Sequence, residues 1–452
     1  MDRGRTRRST RHRAQAGSSA PAVRLSAAFA LPEFRALWAA ETLSVFGDQL
    51  ARVALAVLVF GRTQSALLTG LTYALTFVPA FLGGALFGSV GDRYPRRTVM
   101  AVADLLRAVL MCGVALPGLP LGVLGALVAA VALLNGPFKS AQQALLPAVL
   151  PGPLYSSGMA VRSISTQVAQ LAGFAGGGLL VSVLNPSLGL AIDAATFGAS
   201  TILVVLGVRP RPPAVAIRVP FVTALVVGTR LIWRDPGLRA LVGLCWLAAF
   251  YIVPEALAAP YAASIHSGPV AVGALMASDP LGSVVGGVIF GKWVPEARQQ
   301  RVIGGLGVMA GLPLLVCAFT PPVAVAMLLF ALSGAAATAY TIQATASFVR
   351  RLPDSQRAQG SGVLSSGLIT VQGIGALVAG AVCDAAGPAR TIALAGACGA
   401  LVAVPIAVAW GRARRATVIA ELGSSGVAVH GVHGDLLPED HRNLPGRPVI
   451  SP

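Results

Sequence analysis

Long apolar stretches alternate with short polar, charged or Pro/Gly-rich connections along most of this chain. A helix that crosses the hydrocarbon core of a bilayer needs about 20 residues. None of the stretches alternates apolar and polar residues, as a membrane-spanning strand would. The pattern therefore predicts an all-α membrane protein with twelve transmembrane helices, at approximately 35–60, 65–90, 98–117, 120–138, 160–184, 187–207, 238–262, 270–291, 302–320, 323–347, 360–383 and 390–410.

Composition supports a location in the bilayer. Hydrophobic residues make up 55% of the 452 residues and charged residues only 11%, whereas a soluble protein carries about 25% charged residues. The net charge of +17 is typical of proteins that bind nucleic acid, but the arginines lie in short clusters between apolar stretches. A bilayer explains both the composition and this distribution, whereas nucleic acid explains only the charge.

Basic residues are concentrated in alternate connections. The opposite set of connections contains Arg62 and Arg390 and little else. Positively charged loops stay on the cytoplasmic side of a membrane, so we expect a multi-pass cell-membrane protein with both termini in the cytoplasm, which requires an even number of spans. The basic set comprises Arg93, Arg96, Arg97, Lys139, Arg209, Arg211, Arg218, Arg230, Arg234, Lys292, Arg298, Arg301, Arg350, Arg351 and Arg357.

The longest internal connection divides the spans into two groups of six. It opens with a stiff Pro-rich segment and continues as an amphipathic sequence, which predicts a helix lying along the inner membrane face. The predicted domains are a disordered basic tail over 1–33, a six-helix bundle over 34–208, a cytoplasmic linker with an amphipathic helix over 209–237, a second six-helix bundle over 238–410 and a disordered tail over 411–452.

A charged turn, Gly88-Ser-Val-Gly-Asp92-Arg93-Tyr-Pro-Arg96-Arg97, joins the second and third spans. Gly88 allows close helix packing, and Asp92 offers an anion that can face a helix N-terminus. The three arginines hold the turn on the cytoplasmic side, and an ordinary basic turn is the alternative interpretation. The spacing resembles the signature loop of the major facilitator superfamily, although Pro95 stands where that family more often has glycine.

This resemblance covers about residues 34–410 and implies two six-helix halves that work by alternating access. A second copy of the loop is expected near Gly287–Trp293, which keeps the glycines but lacks the Asp-Arg pair. Asp104 and Arg107 resemble a further gating element of the exporter branch. The family also implies a latch between Asp92 and the N-terminus of the eleventh span, for which the fourth helix offers only Lys139 as the partner cation.

Ionisable residues inside the spans are the candidate functional residues, because a charge in the bilayer costs several kcal/mol unless it is paired or hydrated. Glu41, Asp48 and Arg52 have offsets of 7 and 4, which place them on one face of the first span. Asp48 and Arg52 can pair, either as a static structural pair or as part of a proton-coupling site. Asp193 is interpreted as an isolated acid near the outer end of its span.

The second half contributes two further acids. Glu255 follows Pro254, so that a local helix break can aim its carboxylate at a central cavity. Asp279 precedes Pro280 near the middle of the eighth span. We expect Asp48 and Asp279 to be the first candidates for proton coupling, followed by Glu255. Aromatic residues that can line a cavity, or alternatively serve as packing or interface anchors, are Tyr73, Phe77, Trp246, Phe250, Tyr251 and Tyr340.

No P-loop, nucleophile elbow, zinc-ligand spacing or dinucleotide fingerprint occurs in the sequence, and five cysteines fall within apolar stretches. We therefore expect no enzymatic activity, cofactor, metal or nucleic-acid partner. We interpret the chain as a monomeric secondary transporter, similar to macrolide-efflux exporters, that exchanges protons for small amphiphilic or hydrophobic compounds. A nutrient importer of the same fold and a non-transporting membrane receptor or lipid-handling protein remain as alternatives.

Overall fold

The protein is described by a computed structural model that covers residues 25–87, 93–212, 221–353 and 356–424. Every regular element within these ranges is a helix, beginning with a short 3₁₀ helix at Leu25–Ala30. Gly88 and Asp92 of the predicted signature loop lie outside the described residues, as do positions 1–24 and 425–452 of the predicted tails.

The N-terminal half contains six long helical spans, and the second of them is interrupted. Thr76 donates its hydroxyl to the carbonyl oxygen of Tyr73 at the interruption, so that a side chain competes with the helical backbone pattern. The spans are α1 (Pro32–Thr63), α2 (Ala66–Ala74 and Val78–Phe87), α3 (Arg96–Val114), α4 (Leu121–Val149), α5 (Leu154–Val183) and α6 (Pro186–Gly207).

The C-terminal half follows the linker helix at Phe221–Arg234. Its first span is broken beside Pro254, as predicted, since proline lacks the N–H that would continue the helix. The spans are α7 (Pro236–Trp246, Ala248–Tyr251, Val253–Ala256 and Ala258–Ser264), α8 (Pro269–Trp293), α9 (Glu296–Met309 and Leu312–Leu315, then a 3₁₀ turn at Val316–Phe319), α10 (Val323–Arg351), α11 (Arg357–Ala386) and α12 (Pro388–Ser424).

The prediction of twelve spans is confirmed. Within the described ranges, 11 helical stretches are long and apolar enough to cross a membrane. The remaining span, α3, has 19 residues and includes Arg96, Arg97, Asp104 and Arg107, which lower its apolar character. It packs along α4 and α6, so its charges are taken into the bundle rather than presented to lipid.

Two boundaries differ from the predicted ones. Helix α4 was expected to end near 138 but continues to Val149, which places Lys139 inside the helix rather than in a connection. Helix α12 extends to Ser424, although the sequence predicted a disordered tail from 411. In both cases the change from apolar to polar residues marks where the apolar stretch ends, whereas the helical backbone continues past that point.

The two halves meet along two pairs of helices, α2 with α11 and α5 with α8. Glycines allow these backbones to approach closely. A Cβ on Gly70 would lie 2.6 Å from the carbonyl oxygen of Ala376, and one on Gly178 would lie 2.8 Å from the Cα of Gly273. Small residues at crossing points are the usual means of packing helices in membranes.

These crossings lie toward one end of the molecule, which we call the far face; it contains the α1–α2 turn and the C-terminus of α11. The opposite end, the linker face, contains the start of α1 and the linker helix. The linker helix packs on α11, where a Cβ on Gly228 would meet the carbonyl oxygen of Gln359 at 2.6 Å. The far face is therefore the closed end of the contact between the halves.

Candidate functional site

One buried arginine on α3 neutralises acids from two helices. Arg107 places one guanidinium nitrogen 3.1 Å from Oδ1 of Asp104, three residues earlier on the same helix. A second nitrogen lies 3.1 Å from Oδ1 of Asp48 on α1. The guanidinium carbon lies 3.9 Å from the ring centroid of Phe197 on α6, a cation–π contact. The side chains of three helices are thus joined through Arg107.

Asp104 is fully satisfied within this cluster. The residue is 0% exposed, and one of its oxygens accepts from Arg107 as described. The other accepts a hydrogen bond from the hydroxyl of Ser200 on α6 at 2.5 Å. A buried carboxylate needs partners of this kind, because an unpaired charge in a low-dielectric interior is strongly unfavourable.

Asp193 is equally buried but incompletely satisfied. It is 0% exposed, and its Oδ1 accepts only from the Thr196 hydroxyl, at 3.2 Å. Its Oδ2 has no hydrogen-bond partner among the described residues. The Asp193 side chain packs against the α1 backbone here, since a Cβ on Gly47 would lie 2.3 Å from Oδ1 of Asp193. Asp193 forms no ion pair among the described residues, and its depth in the membrane stays a prediction.

A small cavity of about 60 Å³ lies beside these acids, which is room for a few water-sized groups. Asp48, Arg52, Arg107, Asn135 and Asp193 all contribute to its wall. Asp48 is the most accessible of the three carboxylates, with 31% of its side chain exposed. The cavity therefore brings together two acids and two arginines from three helices, and Asn135 from a fourth.

A second charged cluster joins the two halves. Tyr73 on α2 donates its hydroxyl to Oε1 of Glu255 on α7, and Arg52 on α1 lies 3.8 Å from the same oxygen. The Arg52 guanidinium also lies 5.0 Å from the ring centroid of Phe77 and 5.5 Å from that of Tyr73. We call Arg52, Tyr73 and Glu255 the bridging triad, because it connects the N-terminal half to the C-terminal half.

The predicted pairing of Asp48 with Arg52 was wrong. The two side chains leave α1 toward different neighbours, Asp48 toward Arg107 and Arg52 toward Glu255. Spacing of four residues makes such a pair available, but each residue has a partner on another helix.

Asp279 lies in the middle of α8, where Pro280 is accommodated inside an unbroken helix. No ion pair reaches Asp279 among the described residues. Its carboxylate faces α10, and a Cβ on Gly334 would lie 2.5 Å from Oδ1 of Asp279. Glycine at position 334 thus provides the space that this acid occupies.

Glu41, nearer to the linker face, forms a third cluster. Arg162 on α5 donates to both oxygens of Glu41, from Nε at 2.5 Å and from a terminal nitrogen at 2.7 Å. Lys139 on α4 donates to Oε1 at 3.1 Å. Glu41, Arg162 and Lys139, here called the linker-side triad, hold three helices of the N-terminal half together.

The described part of the signature loop anchors α3. Arg96 donates to the carbonyl oxygen of Ala144 on α4 at 2.8 Å, and Arg97 donates to the carbonyl oxygen of Val205 on α6. Arg93 is exposed. Both anchoring contacts lie near helix C-termini, where cations are favoured.

At the far face, Asp384 on α11 caps the first helix of α2. Its carboxylate accepts from the hydroxyl of Ser65 at 2.9 Å and from the backbone N–H of Ala66 at 2.7 Å. Asp384 is exposed, and its carboxylate links the two halves through the N–H groups of a helix N-terminus, which have no partner within their own helix.

Only part of the aromatic set faces the space between the halves. Tyr73 and Phe77 pack around Arg52 there. Tyr251 and Tyr340 are buried inside the C-terminal half, where the Tyr251 hydroxyl donates to the carbonyl oxygen of Gly307 at 2.5 Å. For these two tyrosines, helix packing is the better description.

A sequence profile described as the Major Facilitator Superfamily matches residues 37–257 and 255–432, which is most of the chain. This chain belongs to the major facilitator superfamily. Membership confirms the resemblance to this superfamily and the fold of twelve helices in two halves, whereas the gating role of the signature-loop residues stays a prediction.

Two exporters are among the relatives of this superfamily member. It is 28% identical over 392 residues to the multidrug efflux pump Tap of Mycobacterium tuberculosis, which spans 82% of this chain and 93% of the relative. It is 29% identical over 281 residues to the enterobactin exporter EntS of Shigella boydii, which spans 59% of this chain and 65% of the relative.

Solved structures share the fold at low sequence identity. A POT family transporter in complex with 5-aminolevulinic acid aligns with a TM-score of 0.69 and 12% identity, covering 85% of this chain and 97% of the other. A bacterial homologue of the human lysosomal transporter Spinster, in an inward-facing conformation, aligns with a TM-score of 0.63 and 16% identity, covering 84% and 94%.

Sequence reasoning missed the contribution of α6 to the site. Asp193, Thr196 and Ser200 are spaced by three and four residues and share one helix face, which was a detectable signal. The sequence also gave no indication that Glu41 pairs with Arg162, because the two residues lie far apart in the chain and only tertiary packing brings them together.

Proposed function

We propose that this chain exports small amphiphilic compounds across the cell membrane in exchange for protons, by alternating access between its two halves. The observation that supports this most directly is the bridging triad, in which buried charges from both halves meet at the centre of the molecule. Names of the relatives favour export over import, since both are described as efflux or export proteins.

The acids at the centre are the proposed proton carriers. Asp48, Glu255 and Asp279 retain this role from the sequence, and Asp193 joins them because of its unpartnered oxygen. Protonation of any of them removes a charge that now holds a partner on another helix or lies unpaired. A change in these contacts alters the relative energies of the two conformations, which is what coupling requires.

The linker face is proposed to face the cytoplasm, with both termini on that side. Arg93, Arg96 and Arg97 lie at this face, together with the linker helix, and positively charged connections remain inside. The close crossings at the far face then close the outward side, so this conformation is open toward the cytoplasm. A reporter that is active only in the cytoplasm should be active when it is fused to either terminus. Loss of its activity, together with activity of a reporter that works only outside the cytoplasm, would contradict this orientation.

Everted membrane vesicles with an acidic interior provide the functional test. Three fluorescent probes would be compared: ethidium as a cation, N-dansylglycine as an anion and its methyl ester as a neutral compound. Proton flow out of the vesicles should drive accumulation of at least one probe, and nigericin should abolish it. One elementary charge crossing 100 mV supplies about 2.3 kcal/mol, which is enough for roughly 50-fold accumulation for each charge moved.

Two substitutions, made separately and together, test which residues carry the coupled proton: Asp48→Asn and Asp279→Asn. Loss of gradient-driven accumulation with retained thermal stability supports the assignment. Undiminished accumulation in the double variant would remove both residues from the coupling mechanism. A general loss of folding would instead favour a static structural role.

A further inference from the structure

The linker-side triad carries an unbalanced positive charge. Glu41 supplies one negative charge, and Arg162 already neutralises it through two hydrogen bonds of 2.5 and 2.7 Å. Lys139 adds a second cation at 3.1 Å. Because the side chains of Glu41 and Arg162 are almost fully buried, one surplus positive charge stands at the edge of a low-dielectric region.

Lys139 directs this surplus into the space between the halves. Its side chain is 40% exposed and lines a cavity of about 250 Å³ formed by α2, α4 and α11. An ammonium group has three donors, of which Glu41 takes one. The cavity lies on the linker-face side of the bridging triad and includes residues from both halves.

The cavity also offers neutral polar groups and apolar walls. Gln143 on α4 and Ser365 and Ser366 on α11 line it, and none of their side chains forms a hydrogen bond within the described ranges. Phe81 and Ile369 supply apolar surface. A cation, available hydroxyl and amide groups and apolar walls together suit a ligand with an acidic head and an apolar body.

This cavity adjoins the acid-lined cavity described above. Asn135 on α4 contributes to the walls of both. The cavity beside Lys139 and the cavity beside Asp48 and Asp193 are therefore neighbours within the N-terminal half.

We propose that Lys139 is the anion-binding residue of the substrate cavity, and that this protein carries amphiphilic organic acids. The acidic oxygens of the ligand contact the Lys139 ammonium group, and the ligand's apolar body contacts Phe81 and Ile369. This inference rests on the proposed function, because it names the class of compound that the transporter takes.

Binding to the purified full-length protein in detergent tests the inference without a transport assay. N-dansylglycine and its methyl ester differ only in that the carboxylate of the acid is replaced by an uncharged methyl ester. The acid should bind on the order of tenfold more tightly than the ester, since a hydrogen bond to a charged group contributes about 1.5–3 kcal/mol. Lys139→Gln should remove this preference, whereas Lys139→Arg should keep it.

Amine labelling of the wild-type chain gives a second readout that does not depend on a variant folding. The chain has two lysines, Lys139 and Lys292, and Lys292 is exposed at the end of α8. Acetylation followed by peptide mass spectrometry should show that N-dansylglycine protects Lys139 and leaves Lys292 unchanged. The methyl ester should protect neither lysine.

Equal affinity for the acid and the ester, or equal labelling of Lys139 with and without N-dansylglycine, would overturn the inference. These outcomes are separate from failure of the proposed function. Gradient-driven accumulation of ethidium or the ester without selectivity for the acid would leave proton-coupled export standing and remove the anion site. Acid-selective binding without gradient-driven transport of any probe would support the anion site and contradict proton-coupled export.

Discussion

The two six-helix halves use different means to pack equivalent helices. In the N-terminal half, α3 meets α6 through Asp104 and Ser200 and through Arg107 and Phe197. In the C-terminal half, α9 meets α12 through small residues: a Cβ on Gly304 would lie 2.4 Å from the Cβ of Ala407, and one on Gly311 would lie 2.3 Å from the carbonyl oxygen of Gly396.

This difference shows that the fold does not require charges at this position. Small residues suffice to hold two membrane helices together, whereas a buried ion pair must first overcome the cost of desolvation. In the N-terminal half, Arg107 and its partners Asp48 and Asp104 are desolvated in this way. We therefore propose that these charges serve transport rather than folding.

Removal of the central arginine should have the largest effect on stability. Arg107→Met leaves Asp48 and Asp104 without their cation and should lower the free energy of unfolding by about 3–5 kcal/mol. The matched control is Arg301→Met on α9, where the arginine is exposed and the change should stay within about 0.5 kcal/mol. Unfolding in mixed detergent micelles measures both, and equal losses would erase the contrast between the halves.

The two fully buried aspartates should respond differently to the same substitution. Asp104→Asn breaks a satisfied network and should cost about 1–3 kcal/mol. Asp193→Asn replaces an acid that has an unpartnered oxygen, so stability should change by less than about 1 kcal/mol while gradient-driven accumulation is lost. Vesicle accumulation and unfolding would be measured on both variants. Normal accumulation by Asp193→Asn would exclude Asp193 from coupling.

Glycine packing in the C-terminal half predicts a smaller loss. Gly311→Ala introduces a methyl group against the backbone of α12 and should cost about 1–3 kcal/mol through overpacking. Gly305→Ala is the control, because nothing lies within 4 Å of its Cβ position. This variant should be neutral or more stable by up to about 1 kcal/mol, since alanine favours helix formation. Identical shifts in the unfolding midpoint would argue against close packing at Gly311.

The smallest effect is expected for an ion pair at the linker face of the C-terminal half. Partial burial alone would raise the pKa of Asp235. Hydrogen bonds from Arg351 at 2.6 Å and from the backbone of Gly237 at 2.7 Å lower the pKa by more than burial raises it, so the folded pKa lies below the ordinary value. The pair should contribute about 1 kcal/mol or less.

Because the folded pKa is depressed, this contribution is present above the unfolded pKa of about 3.9 and is lost as pH falls through the folded value. The wild type should exceed Asp235→Asn in unfolding midpoint at pH 7, and the gap should close below roughly pH 4. A gap that grows on acidification would contradict the sign of the shift.

The fold was largely predictable from the sequence, because membrane-length apolar stretches and basic connections repeat along the whole chain. The site was predictable only in part. Asp104 and Arg107 were selected from the sequence as a gating element, but their ion pair and the contact of Arg107 with Asp48 were not predicted. The Arg52–Glu255 and Glu41–Arg162 contacts were not predictable, because each depends on which helices become neighbours. Local spacing instead suggested an Asp48–Arg52 pair, which tertiary contacts override.

Proton exchange at the acids of the N-terminal half is tested most directly in pH-clamped proteoliposomes, with probe uptake and internal pH recorded together. For wild-type protein, we expect an imposed acidic interior to drive probe uptake while the interior becomes less acidic. Asp193→Asn should abolish both changes, although the protein remains folded. Uptake that proceeds at the same rate without a pH gradient, or with no movement of protons, would contradict proton-coupled export.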